Sequence, residues 1–285
     1  MILVADSGST KTDWGLVGQD GSPIFFHTQG CNPYFCTPRD LRDTFSNVKK
    51  QLAISLSDTV SNIYFYGAGC TPGDKTETIT QDLGEVFGHE CQVCVGSDML
   101  GAAIALCDDR EGIACILGTG SNSCLYDGNE ITANTPPLGY ILGDEGSGAN
   151  LGKLLVGNIL KDQLPSRLKD EFLNTYGSTA EIINRVYRQP APNRWLASLS
   201  PFIHSHLDCA ELRQMAKDAF AAFFRRNVVN YRRSELPIGL VGSVAYHYSD
   251  IIAEAATELH LTIGKILKQP IEELTKIHHD RHYNH

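Results

Sequence analysis

The order of the predicted elements repeats along the chain, and this repeat constrains the fold more than any other feature. In residues 1–30, three strand-like runs (MILVADS, TDWGLV and SPIFFHTQ) are joined by a Gly/Ser loop and by an Asp-Gly hairpin signal at Asp20-Gly21. The pattern starts again at residue 113 with GIACILGTGSNSCLYDGNEITA, where Asp127-Gly128 corresponds to the first hairpin signal. A repeat of this length predicts two similar α/β halves.

Each half has a definite predicted order of elements. The first half gives three strands followed by helix, strand, helix, strand and helix, or βββαβαβα. The second half begins with three strands and carries a long helical insertion. In that insertion Ser178-x-x-Glu181 predicts a capping box, and Leu207 to Tyr231 predict one long amphipathic helix. We therefore expect an α/β protein with two domains, residues 1–107 and residues 108–285.

The composition is that of a globular protein with two cores. The chain has 285 residues, of which 42% are hydrophobic and 20% are charged, and that length suffices for two domains. The sequence contains no run of 18 apolar residues, so it predicts no transmembrane helix. The first residues enter a strand without the basic region, apolar segment and cleavage site of a signal peptide. We expect a cytoplasmic protein with no membrane partner.

Charge and cysteine usage exclude further classes. A net charge of −9 argues against a nucleic-acid partner, but a small anionic ligand needs only a local positive field. Most of the nine cysteines lie in apolar strand-like runs, which is typical of buried, reduced thiols. Cys91 and Cys94 lie three apart in a predicted strand and so face opposite sides, which disfavours a metal or redox site. The ending HHDRHYNH predicts a solvated terminus rather than a metal site.

The stretch DSGSTKT at residues 6–12 raises the first functional hypothesis. It is either a simple hairpin turn or a phosphate loop, in which backbone N–H groups, hydroxyl groups and Lys11 contact the anion and Asp6 holds a hydrated Mg²⁺. A second loop of this kind, GTGSN at residues 118–122, favours phosphate binding, because two such loops facing each other across a cleft can clamp a polyphosphate. The candidate phosphate-binding residues are Gly8, Ser9, Thr10, Lys11, Gly118, Thr119 and Gly120.

Two common nucleotide motifs are excluded directly. Neither GSTKT at residues 8–12 nor SGANLGKL at residues 147–154 fits the P-loop pattern G-x-x-x-x-G-K-[ST]. The dinucleotide pattern G-x-G-x-x-G fails as well, because GTGSNS at residues 118–123 ends in serine.

Three more segments suggest chemistry. Asp98, in SDMLGAA, follows an apolar strand and opens a helix. It is either an N-cap or the general base that accepts the proton of a substrate hydroxyl, with Ser97 capping the helix in its place. The acidic pair in LGYILGDEGSGANLG (138–152) either caps a helix or binds the hydroxyl groups of a polyol. The small residues of GLVGSVA (239–245) would let an adenine ring approach the backbone.

The segments DSGSTKTDW, SDMLGAA, ILGTGSNS, LGDEGSGANLG and LVGSVA, in this order, resemble the BadF/BadG/BcrA/BcrD ATPase family. They are most similar to its N-acetylglucosamine kinase branch, within the actin/hexokinase/Hsp70 superfamily. The resemblance extends from residue 2 to about residue 265, and LGDEGSG and DSGSTKT are its most specific parts. It implies two ribonuclease-H-like domains that face a nucleotide cleft, and an ATP-dependent, Mg²⁺-requiring kinase for an amino sugar.

The resemblance also implies roles for individual residues. Asp6 would serve Mg²⁺, and Asp98 would be the catalytic base and contact the sugar. Ser9, Thr10 and Thr119 would contact the ATP phosphates, and Gly242 and Ser243 would lie at the adenosine. The sugar-binding residues would be Asn32, Asp98, Gly139 and Asp144.

Two alternatives remain open at this level. One is an ATPase that activates a radical dehydratase or reductase through a subunit-bridging iron–sulfur cluster, although the cysteines offer no evident exposed ligand pair. The other is a nucleotide- or sugar-sensing protein without chemistry. The sequence also leaves open the sugar, the hydroxyl that is phosphorylated and whether the chain forms a homodimer. Leu138 stands where similar amino-sugar kinases carry an aromatic residue.

Overall fold

A computed structural model of the chain describes residues 1–8, 10–55, 59–70 and 73–284. It divides into two compact units, Met1–Asp109 together with Gln269–His285, and Arg110–Lys268. Each unit combines helices with one mixed five-stranded sheet, so the predicted α/β class is confirmed. None of the helices in the described ranges has the length and apolar character that a membrane crossing requires.

The first unit follows the predicted order βββαβαβα. Its elements are β1 (Ile2–Ser7), β2 (Lys11–Val17), β3 (Ile24–Gln29), α1 (Pro38–Ser55), β4 (Asn62–Gly67), α2 (Asp74–Phe87), β5 (Gln92–Ser97) and α3 (Asp98–Cys107). The strand order is β3-β2-β1-β4-β5, and β1, β4 and β5 run parallel. Beneath the sheet the rings of Trp14, Phe45 and Phe65 pack with centroids 6.0–6.4 Å apart. This aromatic cluster packs α1 against one face of the sheet.

The second unit inserts a helical layer between its third and fourth strands. Its elements are β6 (Gly112–Leu117), β7 (Ser121–Tyr126), β8 (Ile131–Thr135), α4 (Gly139–Leu142), α5 (Gly148–Leu160), α6 (Ser166–Tyr176), α7 (Thr179–Arg188), α8 (Pro192–Ala197), α9 (Ser200–Ser205), α10 (Ala210–Phe223), a π turn (Phe224–Val228), a 3₁₀ turn (Val229–Tyr231), β9 (Ile238–Val241), α11 (Ser243–His247), α12 (Ser249–Glu258) and β10 (Ile263–Leu267). Read from β8, the order β8-β7-β6-β9-β10 matches the order of the first sheet. The predicted capping box of Ser178 and Glu181 is confirmed at the start of α7.

The last helix, α13 (Ile271–Tyr283), packs on β1, β2 and α3 and belongs to the first unit, whereas the sequence places residues 108–285 in one domain. The helix also contains most of the histidine-rich ending. The prediction of a solvated terminus is wrong at His278, which is only 5% exposed, whereas Arg281, His282 and Asn284 are exposed. The physical reason is the apolar face that Ile271, Leu274 and Ile277 bury at helical spacing, which carries the following turn against the sheet.

His278 is held by two tyrosines of β4. Its ring stacks on Tyr64 with centroids 3.8 Å apart, and its Nε2 lies 2.9 Å from the hydroxyl oxygen of Tyr66. Burial, assisted by the nearby Arg281 and opposed by Asp108, lowers the pKa of His278 to about 4. The folded protein therefore keeps this imidazole neutral.

This burial makes a pH-dependent prediction. Between pH 6.5 and pH 4, His278 is protonated in the unfolded chain but stays neutral in the folded protein. The free energy of unfolding therefore decreases as the pH falls through this window. We expect the wild type to lose about 3 kcal/mol of unfolding free energy more than His278→Phe over this range. Denaturant unfolding at several pH values measures the difference, and His89→Phe, at an exposed position, is the matched control. Parallel pH profiles of wild type and His278→Phe would contradict the prediction.

Candidate active site

Three parallel strands of the first sheet end side by side, and two of the predicted site residues lie at those ends. Ser7 of β1 lies beside Gly67 of β4, and Gly67 lies beside Ser97 of β5. Asp6 and Asp98 therefore share the carboxyl edge of the sheet, which is where open α/β sheets bind ligands. The two carboxylates are close enough to interact electrostatically.

Both carboxylates are partly buried, and this raises their pKa values. Burial, then repulsion from Asp98 and Asp13, raises the pKa of Asp6 from 3.8 to about 7, and Lys11 opposes the shift. Burial also raises the pKa of Asp98, although its Oδ1 accepts a hydrogen bond from the Met99 N–H at 2.9 Å. Two desolvated carboxylates that repel each other are stabilised by a cation, and carboxylate oxygens are preferred ligands of Mg²⁺. The residues present thus fit a magnesium ion.

The position of Asp98 is set by the way α3 begins. The Oγ of Ser97 accepts a hydrogen bond from the Leu100 N–H at 3.1 Å, so Ser97 caps the helix as predicted. The first turns of α3 lie directly on Tyr66, since a Cβ on Gly101 would come within 2.7 Å of the Tyr66 Cβ. Glycine at this position lets the helix approach β4 closely and fixes where its first residue lies.

The predicted first phosphate loop joins β1 to β2. Its Gly8 N–H donates to the Lys11 carbonyl at 2.9 Å, and Thr10 is exposed. Lys11, expected to contact phosphate, forms an ion pair with Asp13 at 2.9 Å, and its half-exposed side chain has solvent access. Ser9, the remaining predicted residue of this loop, lies outside the described residues.

Asn32 lies in the loop that follows β3 and is 6% exposed. Its Oδ1 accepts a hydrogen bond from the Tyr34 N–H at 2.9 Å. The loop after β4 packs against it, because a Cβ on Gly69 would come within 2.7 Å of that Oδ1. Since Gly69 follows the carboxyl end of β4, the structure brings Asn32 to the same edge as Asp6 and Asp98.

The carboxyl edge of the second sheet repeats this arrangement. β6 and β9 are parallel, so the loop after Leu117 and the residue after Val241 lie side by side. That residue is Gly242, where φ is +126° and an added Cβ would come within 2.2 Å of the Leu117 carbonyl oxygen. Only glycine allows β9 to turn into α11 so close to the second predicted phosphate loop.

A cavity of about 550 Å³ opens beside this loop within the second unit. Gly118 and Thr119 line it together with Ser243 at the start of α11, so three predicted ATP-binding residues share one cavity. The rings of His204 and Tyr248 form part of the lining, with centroids 5.4 Å apart. The volume is that of a small-molecule site, and small residues and flat rings suit a nucleoside base.

The acidic loop after α4 lies against the second predicted phosphate loop. Ser121 N–H donates to the Oδ1 of Asp144 at 3.3 Å, and a Cβ on Gly120 would come within 3.1 Å of Oδ2. Burial raises the pKa of Asp144, the Ser121 hydrogen bond lowers it, and repulsion from Glu145 raises it. Gly139, with φ of +73°, starts the exposed helix α4 that leads into this loop.

The sequence analysis missed two residues of this region. Arg226 and Asn227, from the π turn, contact Glu145 beside Asp144. They stand far from the acidic loop in the chain, and no motif marks them. The extended apolar periodicity of Leu207 to Tyr231 predicts a helix there but not its π turn.

Comparisons with known proteins show which family the chain belongs to. No known protein-family model matches it. A solved structure from Porphyromonas gingivalis, of a protein provisionally named N-acetylglucosamine kinase, is 47% identical, covers 99% of this chain and 100% of that one, and superposes with a TM-score of 0.92. This chain belongs to the N-acetylglucosamine kinase family.

Two curated relatives of this family are more distant. The N-acetylmuramic acid/N-acetylglucosamine kinase of Clostridium acetobutylicum is 25% identical over 93% of this chain and 92% of its own length. The N-acetyl-D-glucosamine kinase of Dictyostelium discoideum is 25% identical over 70% of this chain and 69% of its own length. Membership of the N-acetylglucosamine kinase family confirms the prediction of an ATP-dependent sugar kinase, and places the chain among the sugar kinases of the actin-like ATPase superfamily.

Proposed function

We propose that this protein transfers the γ-phosphoryl group of ATP to a hydroxyl group of N-acetylglucosamine or a closely related N-acetylated amino sugar. We also propose that it belongs to the BadF/BadG/BcrA/BcrD ATPase family, with two ribonuclease-H-like domains. The names of the relatives support the substrate class. The observation that carries the proposal is the pair of carboxylates, Asp6 and Asp98, at the carboxyl ends of neighbouring strands, both with raised pKa values.

The two carboxylates have different tasks in this proposal. Asp98 accepts the proton of the acceptor hydroxyl as the oxygen attacks phosphorus, and its raised pKa makes it a stronger base than an exposed aspartate. Asp6 would hold a magnesium ion, directly or through water, and the ion would supply positive charge that neutralises the phosphates. Asn32 and Asp144 bind hydroxyl groups of the sugar, and Gly139 lies beside it.

The nucleotide is held by backbone and small side chains. The cavity lined by Gly118, Thr119 and Ser243 receives the adenosine end, with Gly242 at its rim. The N–H groups and hydroxyl groups of the loop at residues 118–120 contact the phosphates, and the loop at residues 8–11 offers donors of the same kind. The phosphate charge is met mainly by fixed dipoles, which need no reorganisation during transfer.

The experiment is an ADP-release assay with ATP, Mg²⁺ and a sugar panel: N-acetylglucosamine, N-acetylmannosamine, N-acetylmuramic acid, glucosamine and glucose. We expect an N-acetylated sugar to give turnover on the order of 1–100 per second, as is typical of kinases, and ATP without sugar to give far less. Equal ADP release with and without every sugar would contradict the proposal. The activator ATPase is not favoured, since the relatives above are all named as sugar kinases.

A further inference from the structure

The predicted sugar-binding residue Asp144 has an uncommon backbone conformation. Its φ is +53°, in the left-handed region that residues other than glycine seldom adopt. Such a conformation costs free energy and persists only where surrounding contacts impose it. The Asp144 N–H donates to the Pro137 carbonyl at 3.0 Å, and the Asp144 carbonyl accepts a hydrogen bond from the Ser147 N–H at 3.1 Å. These bonds hold the backbone of Asp144 but not its carboxylate.

The next residue, Glu145, adds contacts through its side chain. Its side chain is 13% exposed, and its Oε1 lies 2.7 Å from the Nε of Arg226. Its Oε2 accepts a hydrogen bond from the Nδ2 of Asn227 at 3.3 Å. Both oxygens of Glu145 are thus bound by side chains of the π turn, whereas the carboxylate oxygens of Asp144 lie against the second predicted phosphate loop.

The π turn is itself rigidly held. Asn227 is 5% exposed, and its Nδ2 also donates to the Phe223 carbonyl at 3.1 Å. Its carbonyl accepts a hydrogen bond from the Thr135 Oγ1 at 3.0 Å, which ties the turn to β8. π turns inside α-helices are frequent at functional sites, and here the turn carries Arg226 and Asn227, which contact Glu145.

We infer that Glu145 is a positioning residue whose clamp by Arg226 and Asn227 aims the Asp144 carboxylate at the sugar. This inference rests on the proposed function and deepens it, because it assigns the geometry of the sugar site to the π turn. Gly146 allows the acidic loop to pack closely against α10, because its φ is +69° and an added Cβ would come within 3.1 Å of the Phe223 Cβ. The acidic loop therefore lies directly on the end of α10.

The test is a double-mutant cycle with Glu145→Gln and Arg226→Ala, followed by sugar-dependent ADP release. Because a misplaced binding group weakens contacts sharply, we expect each single variant to raise KM for the sugar by about 10-fold, with KM for ATP changed by less than about twofold. In the double variant, KM for the sugar should also rise by about 10-fold rather than 100-fold, since both changes break the same interaction. Arg226 is 62% exposed, so its removal leaves the core intact.

Asn227→Ala is the third variant and should match Arg226→Ala. The control is Arg225→Ala, an exposed arginine of the same turn, which should leave both KM values unchanged. A sugar KM raised by about 100-fold in the double variant would show that the two changes act independently, and would overturn the inference. So would a normal sugar KM in both Arg226→Ala and Asn227→Ala.

Hydrogen exchange separates failure of this inference from failure of the proposed function. If the wild type shows no sugar-dependent ADP release, the proposed function fails, but the clamp still predicts faster exchange at residues 143–148 in Glu145→Gln and Arg226→Ala. We expect about 10-fold faster exchange there than in the wild type, and wild-type rates in Arg225→Ala. Unchanged exchange in both clamp variants would overturn the inference, whatever the activity.

Discussion

Replacing Asp98 with asparagine is expected to reduce sugar-dependent ADP release by about a thousandfold, within the 10²–10⁴ range of general-base catalysis. Asparagine keeps the shape of the side chain and the Oδ1 that accepts from the Met99 N–H, so α3 should begin as before. What the variant loses is the group that takes the proton of the acceptor hydroxyl. ATP binding should be retained, because the cavity lined by Thr119 and Ser243 belongs to the second unit.

The measurement combines steady-state kinetics with calorimetric titration of an ATP analogue. Asp109→Asn is the matched control, since it makes the same chemical change at an exposed position just beyond the other end of α3. It should leave kcat and both KM values within about twofold, as is usual for surface substitutions. Full turnover by Asp98→Asn would remove the general base from the mechanism, and loss of ATP binding would show that Asp98 acts through the nucleotide instead.

Asp6→Asn is expected to stabilise the metal-free protein while it impairs catalysis. The folded protein holds the Asp6 pKa near 7, against 3.8 in the unfolded chain, so the folded state binds more protons between these values. Wild-type stability is therefore lost as the pH rises through this window, and asparagine, which does not ionise, avoids that loss. At pH 8 in EDTA we expect the variant to be more stable by roughly 2–4 kcal/mol.

The same substitution should lower kcat by about a hundredfold or more, because stabilisation of phosphoryl charge by a metal ion is worth several kcal/mol. Urea unfolding in EDTA at pH 4 and pH 8 tests the stability claim, and the gain should shrink towards zero at the lower pH. Equal stability of wild type and Asp6→Asn at pH 8 would mean that the ionised Asp6 carboxylate does not destabilise the metal-free protein.

Much of the fold was predictable because it is encoded in neighbouring residues. The Asp-Gly signals, the apolar strand runs and the Ser97 cap each depend on a few adjacent positions, and the βββαβαβα order of the first unit follows from them. The location of the candidate residues was predictable in the same way, since Asp6 and Asp98 lie at strand ends of the first sheet and the loop at residues 118–120 follows a strand of the second. Parallel strands bring such positions to the carboxyl edge of their own sheet.

Other features could not be predicted, because they depend on contacts between distant segments. His278 looked solvated in a polar run of sequence, yet Tyr64 and Tyr66 bury it. Glu145 looked like a helix-end acid, yet Arg226 and Asn227 clamp it from another helix. Local patterns carry no information about which side chains meet across a fold.

By itself, the sequence determined the α/β class, the repeated order of strands and loops, and the places of the carboxylates and glycines that we propose for the site. These rest on short-range geometry, where alternation, turn chemistry and helix caps act within a few residues. Only the tertiary structure decided that α13 joins the first unit, how far Asp6 and Asp98 are desolvated, and what holds the acidic loop. Those features depend on packing and burial, which exist only once distant parts of the chain are in contact.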